Sequence, residues 1–268
     1  MEKAASVFCY SNDNRLTPED LFGATFVIRM LSGGFCSAVL SKEGNVLSVN
    51  QYAFLPNLSV EEKINAMEEA LLPFHLQCGK AVFQLYTNIN TQIPETFYEE
   101  ELNPTIADLL VSKSKDYLPV AEKIANEPFY NLSLWDAVLL KKIKKKFPHY
   151  ELKTSIGSLL AKTAQRQPQE EAFVFVDDNN FTILARNAKG LLGCNCFAFE
   201  AEADFLYYCL YFLRGCYPNA ENIPVHLCGN IASDSSLHVS LKKYLAKVEL
   251  IENDVDAISN YHYYYDII

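Results

Sequence analysis

Two short motifs in this chain carry the residue types that bind zinc. Cys194-x-Cys196 and His226-x-Cys228 offer thiolate and imidazole ligands, and alternation along a strand would put each pair on one face. The strand order argued below sets them three strand spacings apart. At about 4.8 Å per spacing that is roughly 14 Å, too far for one ion, so buried thiols are expected instead. The five histidines have no Ser or Cys partner in a recognisable triad motif. Lys141, Lys142, Lys144, Lys145 and Lys146 form the one basic run. Cations at a helix C-terminus complement its dipole, so a solvated helix end is expected, with a docking patch for an acidic partner as the functional alternative. The stretch Tyr261-His262-Tyr263-Tyr264-Tyr265 reads as an edge strand packed on the body, or as an aromatic surface for a partner.

These residues must be positioned by a sizeable body. The chain has 268 residues, half of them hydrophobic and 21% charged, which is the balance of a folded protein and not of a disordered one. Its 33 acidic and 23 basic residues leave a net charge of −10, against nucleic acid as the main partner. The longest apolar stretch, 205–213, is half of a membrane span, and the N-terminus lacks a secretory pattern. With eight cysteines mostly inside apolar runs, the expected compartment is the cytoplasm.

Strands are predicted at 26–31, 35–40 and 46–54, separated by the turns Ser32-Gly33-Gly34 and Lys42-Glu43-Gly44-Asn45. Ser59 and Glu62 form a capping box that opens a helix with its apolar face at Val60, Ile64, Met67 and Leu71. A strand at 81–86 follows. The order then returns, with strands at 173–176, 181–185 and 191–199, a helix at 202–215, a strand at 224–227 and a helix at 235–246. Phe35 and Phe181 correspond at an offset of 146 residues. Between the repeats, 129–134 and 149–154 read as strands, and 135–147 and 155–165 as helices. The residues 203–216 are apolar nearly all round, which predicts a helix sandwiched between the sheet and another layer. The expected fold class is α/β: duplicated ribonuclease H-like βββαβα units with sheet order 3-2-1-4. The halves are placed at 1–146 and 147–268, with elements exchanged across the boundary and a cleft between them.

A duplicated unit of this type resembles the actin-like ATPases. More closely, the chain resembles a bacterial domain-of-unknown-function family with that fold. The resembling pieces are Ile-Arg-x-x-x-x-Gly-Phe from Ile28 to Phe35, Lys146-Phe147-Pro148, and Leu-x-Gly-Asn-Ile at 227–231 followed by Asp-Ser-x-Leu. The resemblance implies three nucleotide-contacting turns. Here they fall on Arg29, Ser32, Gly33 and Gly34; on Asp177 and Asp178, followed by Asn179 and Asn180; and on Gly229 and Asn230.

Phosphoryl transfer needs carboxylate-held metal and close backbone N–H groups. Arg29 is expected at the first-turn Asp position, where a guanidinium cannot hold Mg²⁺. The same residue counts against a ribonuclease H-type nuclease. The second turn keeps Asp177 but replaces glycines by side chains that crowd a phosphate. The leading expectation is therefore a non-catalytic actin-like protein, without cofactor, acting on an unidentified protein partner. The alternative is a nucleotide-binding protein or phosphotransferase that takes ATP at a rearranged site; a metal-binding protein is a third.

Overall fold

The computed structural model describes residues 4–11, 21–31, 33–75, 78–167, 169–252 and 264–267. Ser32 of the first predicted turn, and Tyr261, His262 and Tyr263 of the aromatic stretch, lie outside these residues.

The first sheet contains β1 (Ala4–Ser11) and the antiparallel strands β2 (Thr25–Met30), β3 (Gly34–Leu40) and β4 (Val46–Phe54). Helix α1 (Val60–His75) crosses to β5 (Lys80–Leu85), which runs parallel to β2. An insertion follows: β6 (Asn90–Pro94), α2 (Asn103–Leu110), β7 (Tyr117–Lys123) and β8 (Phe129–Asp136). Its strands form a separate sheet in the order β6-β8-β7. The chain returns through α3 (Ala137–Lys146), β9 (Glu151–Thr154) and α4 (Ser155–Thr163). β9 lies beyond residue 146, yet it pairs parallel to β5 and completes the order β1-β4-β3-β2-β5-β9.

The second sheet comprises β10 (Glu171–Asp177), β11 (Asn180–Asn187), β12 (Gly190–Ala198), β13 (Val225–Gly229) and β14 (Val248–Leu250), with α5 (Glu202–Cys216) and α6 (Ser236–Leu241) as its helices. Its order is β12-β11-β10-β13-β14. The expected 3-2-1-4 arrangement is thus present in both halves.

β2 and β10 are central strands covered on both faces, which explains their nearly continuous apolar sequences. Phe26, Ile28 and Met30 pack outward with Ile64 and Met67 of α1 and Leu140 and Ile143 of α3. Ala172, Val174 and Val176 pack with Phe205, Cys209 and Leu213 of α5. Each fully buried Val, Leu, Ile, Phe or Met among these contributes about 1.5–3 kcal/mol. The alternate residues face inward to a seam between the halves. There Phe173 and Phe175 meet Ile156, Leu159 and Leu160 of α4.

Local chemistry sets the helix starts. Glu62 Oε2 accepts from Ser59 N at 3.0 Å, and Ser59 Oγ accepts from Glu62 N at 3.3 Å. Asp136 and Thr154 cap α3 and α4 through Leu139 N and Gly157 N, at 2.7 and 2.8 Å.

Three expectations change. The last helix ends at Leu241 and not at 246, because the chain tightens into turns and Ala246 N donates to Glu221 O at 2.8 Å. Helix α5 is not sandwiched: Tyr207 and Tyr211 are 62% and 67% exposed on its outer face. The described end of the aromatic stretch is a buried turn and not an edge strand, with Tyr264 and Tyr265 both in the core. Among the described residues, no helix is long and apolar enough to cross a membrane.

Candidate functional site

The first strand of each half ends in a tight hairpin. Met30 pairs with Phe35 and Leu31 N donates to Gly34 O at 2.9 Å, while Asp177 pairs with Asn180. The bond from Leu31 to Gly34 thus corresponds to the pair Asp177–Asn180, and the offset of 146 aligns Leu31 with Asp177. This corrects the expectation for Arg29, which sits two residues earlier and corresponds to Phe175. Alternation still points Arg29 inward, and its guanidinium lies 5.5 Å from the Phe175 ring centroid.

The glycines of these turns do different work. Gly34 and Gly229 are demanded by close backbone approach: a Cβ would fall 2.2 Å from Tyr52 O and from Val176 O respectively. Gly229 also has φ +86°, and Asn230 N donates to Val176 O at 2.7 Å. A Cβ on Gly33 would lie 3.5 Å from Asp178 Oδ2, which ordinary contact allows. Asp178 has φ +47°, and its Oδ1 accepts from Asn230 Nδ2 at 3.2 Å. The turns do converge, but through Asp178 meeting Asn230 and Gly33. A carboxylate thus stands where a phosphate-binding turn needs N–H groups.

A cleft of about 320 Å³ opens beside them at the C-terminal ends of β2, β5 and β10. Leu31, Lys63, Asn88, Asp136, Asp177 and Asn180 are among its lining residues. Of the residues predicted from sequence, Asp177 lines this cleft, while Arg29 is buried deeper in the seam. Burial is the main reason that the Asp177 carboxyl is pushed from 3.8 up to about 7; Asp178 and Asp266 add to the shift and Arg29 opposes it. Such a group is partly protonated at neutral pH.

Arg29 is fully buried, and its Nη1 pairs with Asp266 Oδ1, 237 residues away. Sequence reasoning missed Asp266, because nothing in its neighbourhood marks it as a partner of the first strand. Leu31 was within reach of the sequence, since the offset already matched Phe35 to Phe181.

The zinc-type pairs are separated as the topology requires. β11 and β10 lie between β12 and β13. Cys196 Sγ instead accepts from Asn90 Nδ2 at 3.1 Å, and burial pushes its thiol up to about 11. His226 sits between Glu171 and Glu249, at 3.1 and 3.5 Å. In the basic run, Lys142 and Lys146 reach Glu61 and Glu68 of α1, at 3.1 and 2.6 Å.

A family model described as a protein of unknown function, DUF3822, matches residues 13–248. None of the curated proteins matches this sequence. Among solved structures, a Bacteroides thetaiotaomicron protein with actin-like ATPase fold and unknown function aligns at a TM-score of 0.76 and 17% identity, over 89% of this chain and 94% of that one. The PilM-PilN type IV pilus biogenesis complex aligns at 0.52 and 9% identity, over 85% and 88%. The arrangement described above is therefore an actin-like ATPase fold.

Proposed function

The chain belongs to the DUF3822 family, and we propose that it acts through contacts with a protein partner and not by phosphoryl transfer. The observation that carries this reading is the pair of hairpins. Leu31 stands at the position equivalent to Asp177, Arg29 pairs with Asp266, and Asp178 is held by Asn230 at the remaining turn. Metal-assisted transfer would need carboxylates and N–H groups converging on phosphate from both sides. Here one side offers a leucine and the other a carboxyl shifted toward its neutral form.

The outer face of α5 supports a contact role. Tyr207 and Tyr211 stack with ring centroids 5.9 Å apart, beside the sheet-edge strand β12. Tyrosine is enriched at interfaces, and a strand edge that is unpaired among the described residues offers backbone groups to an added strand. A chain of the same fold belongs to the PilM-PilN type IV pilus biogenesis complex, which is compatible with such a role. Among the described residues the cysteines form no disulfide, which fits a reducing, cytoplasmic setting.

The cleft favours one second reading, a protein that binds a nucleotide such as ATP at a rearranged site. Lys63 and Asn88 are polar groups in its wall, and crevices at strand C-termini are common ligand sites. Replacing Tyr207 and Tyr211 by alanine together separates the two readings. Under the contact reading, the double variant loses partners captured from the native cell. Under the nucleotide reading, it leaves ATP affinity unchanged and measurable.

A further inference from the structure

The C-terminal residues 264–267 lie in the seam between the two halves and touch both. Tyr264 and Ile267 pack on the first sheet with Val27, Cys36, Ala38, Val49 and Val82. Tyr265 packs on the second sheet with Phe173 and Phe175, its ring parallel to Phe173 at 6.4 Å between centroids. Polar contacts fix the backbone between these anchors. Lys162 Nζ donates to Tyr265 O at 2.8 Å, and Gln84 Nε2 donates to Asp266 O at 3.3 Å. Tyr264 OH donates to Gln51 Oε1 at 3.0 Å, and Asp266 pairs with Arg29.

We infer that this seam is a peptide-docking groove which the chain's own residues 264–267 fill, and that Arg29 is its receptor for the Asp266 carboxylate. The receptor side is built from elements remote in sequence. Arg29 and Gln84 come from neighbouring strands β2 and β5, and Lys162 comes from α4. The occupant is a short segment that sets Tyr264, Asp266 and Ile267 against the first wall and Tyr265 against the second. Covalent linkage gives it a high effective concentration, so it outcompetes free segments of the same kind. The inference holds whether or not the cleft binds nucleotide, since neither Arg29 nor residues 264–267 line the cleft.

The test uses a chain ending at residue 260 and a synthetic peptide of residues 261–268. Titration by fluorescence anisotropy should show the peptide binding the shortened chain, and at least tenfold weaker binding when the peptide carries Asp266→Asn. The full chain should not bind it. Equal binding of both peptides, equal binding by the full chain, or no binding to a shortened chain with native circular dichroism would overturn the inference. Should the shortened chain not fold, hydrogen exchange on the full chain with Asp266→Asn serves instead. Faster exchange is expected in both β2 and β10; acceleration confined to one of them would show that the segment belongs to one half only, against the inference.

Discussion

Removing one partner of a buried ion pair leaves the other charged in a medium that cannot solvate it, at a cost of about 3–5 kcal/mol. Arg29→Met should therefore destabilise the protein by that amount in urea unfolding. The double replacement Arg29→Met with Asp266→Leu should recover most of the loss, because two apolar groups need no pairing there. Recovery of less than half would mean that Arg29 is held mainly by other groups. Asp177 makes a separate, pH-dependent prediction. Its folded-state value near 7 lies above the unfolded 3.8. The folded protein therefore binds more protons than the unfolded one between these values, and stability falls as pH rises from about 4 to 7. Denaturation midpoints across that range should show the decline, and Asp177→Asn should flatten it. A wild-type profile that rises over the same window would contradict the assignment.

At the scale of elements, the β13 end is the most constrained turn. Gly229→Ala puts a side chain at positive φ against Val176 O and should cost about 1–3 kcal/mol or more by thermal unfolding. A loss below about 0.5 kcal/mol would show that the turn relaxes easily. Tyr207→Ala with Tyr211→Ala should change stability little, since both side chains face solvent. The strands and caps of both halves were legible because their signals are local: the Ser59 and Glu62 pair, the apolar runs of β2 and β10, and the turn residues between them. The sheet order followed from connection rules. Long-range placements were not legible. That β9 joins the first sheet depends on pairing with β5, and that α5 keeps an exposed face depends on the absence of a covering layer. The positions of the turns follow from local signals, whereas Arg29 lies two residues before the hairpin, and that shift along β2 exchanges a cleft position for a seam position.

At the scale of the whole molecule, the two halves share a strand order and enclose a seam in which α4 and the C-terminal segment replace solvent. The composition contains ten glycines, and their distribution is more telling than their number. Gly34 and Gly229 are demanded by close backbone approach, which accounts for both glycines without a ligand. A body of this plan retains a cleft beside turns at which Asp178 contributes a side chain and Gly34 and Gly229 meet backbone. The direct measurement is calorimetric titration of the full chain with ATP in the presence and absence of Mg²⁺. The contact reading predicts no saturable heat in either condition. Micromolar, Mg²⁺-dependent binding would contradict it and would move the function to the cleft beside Asp177.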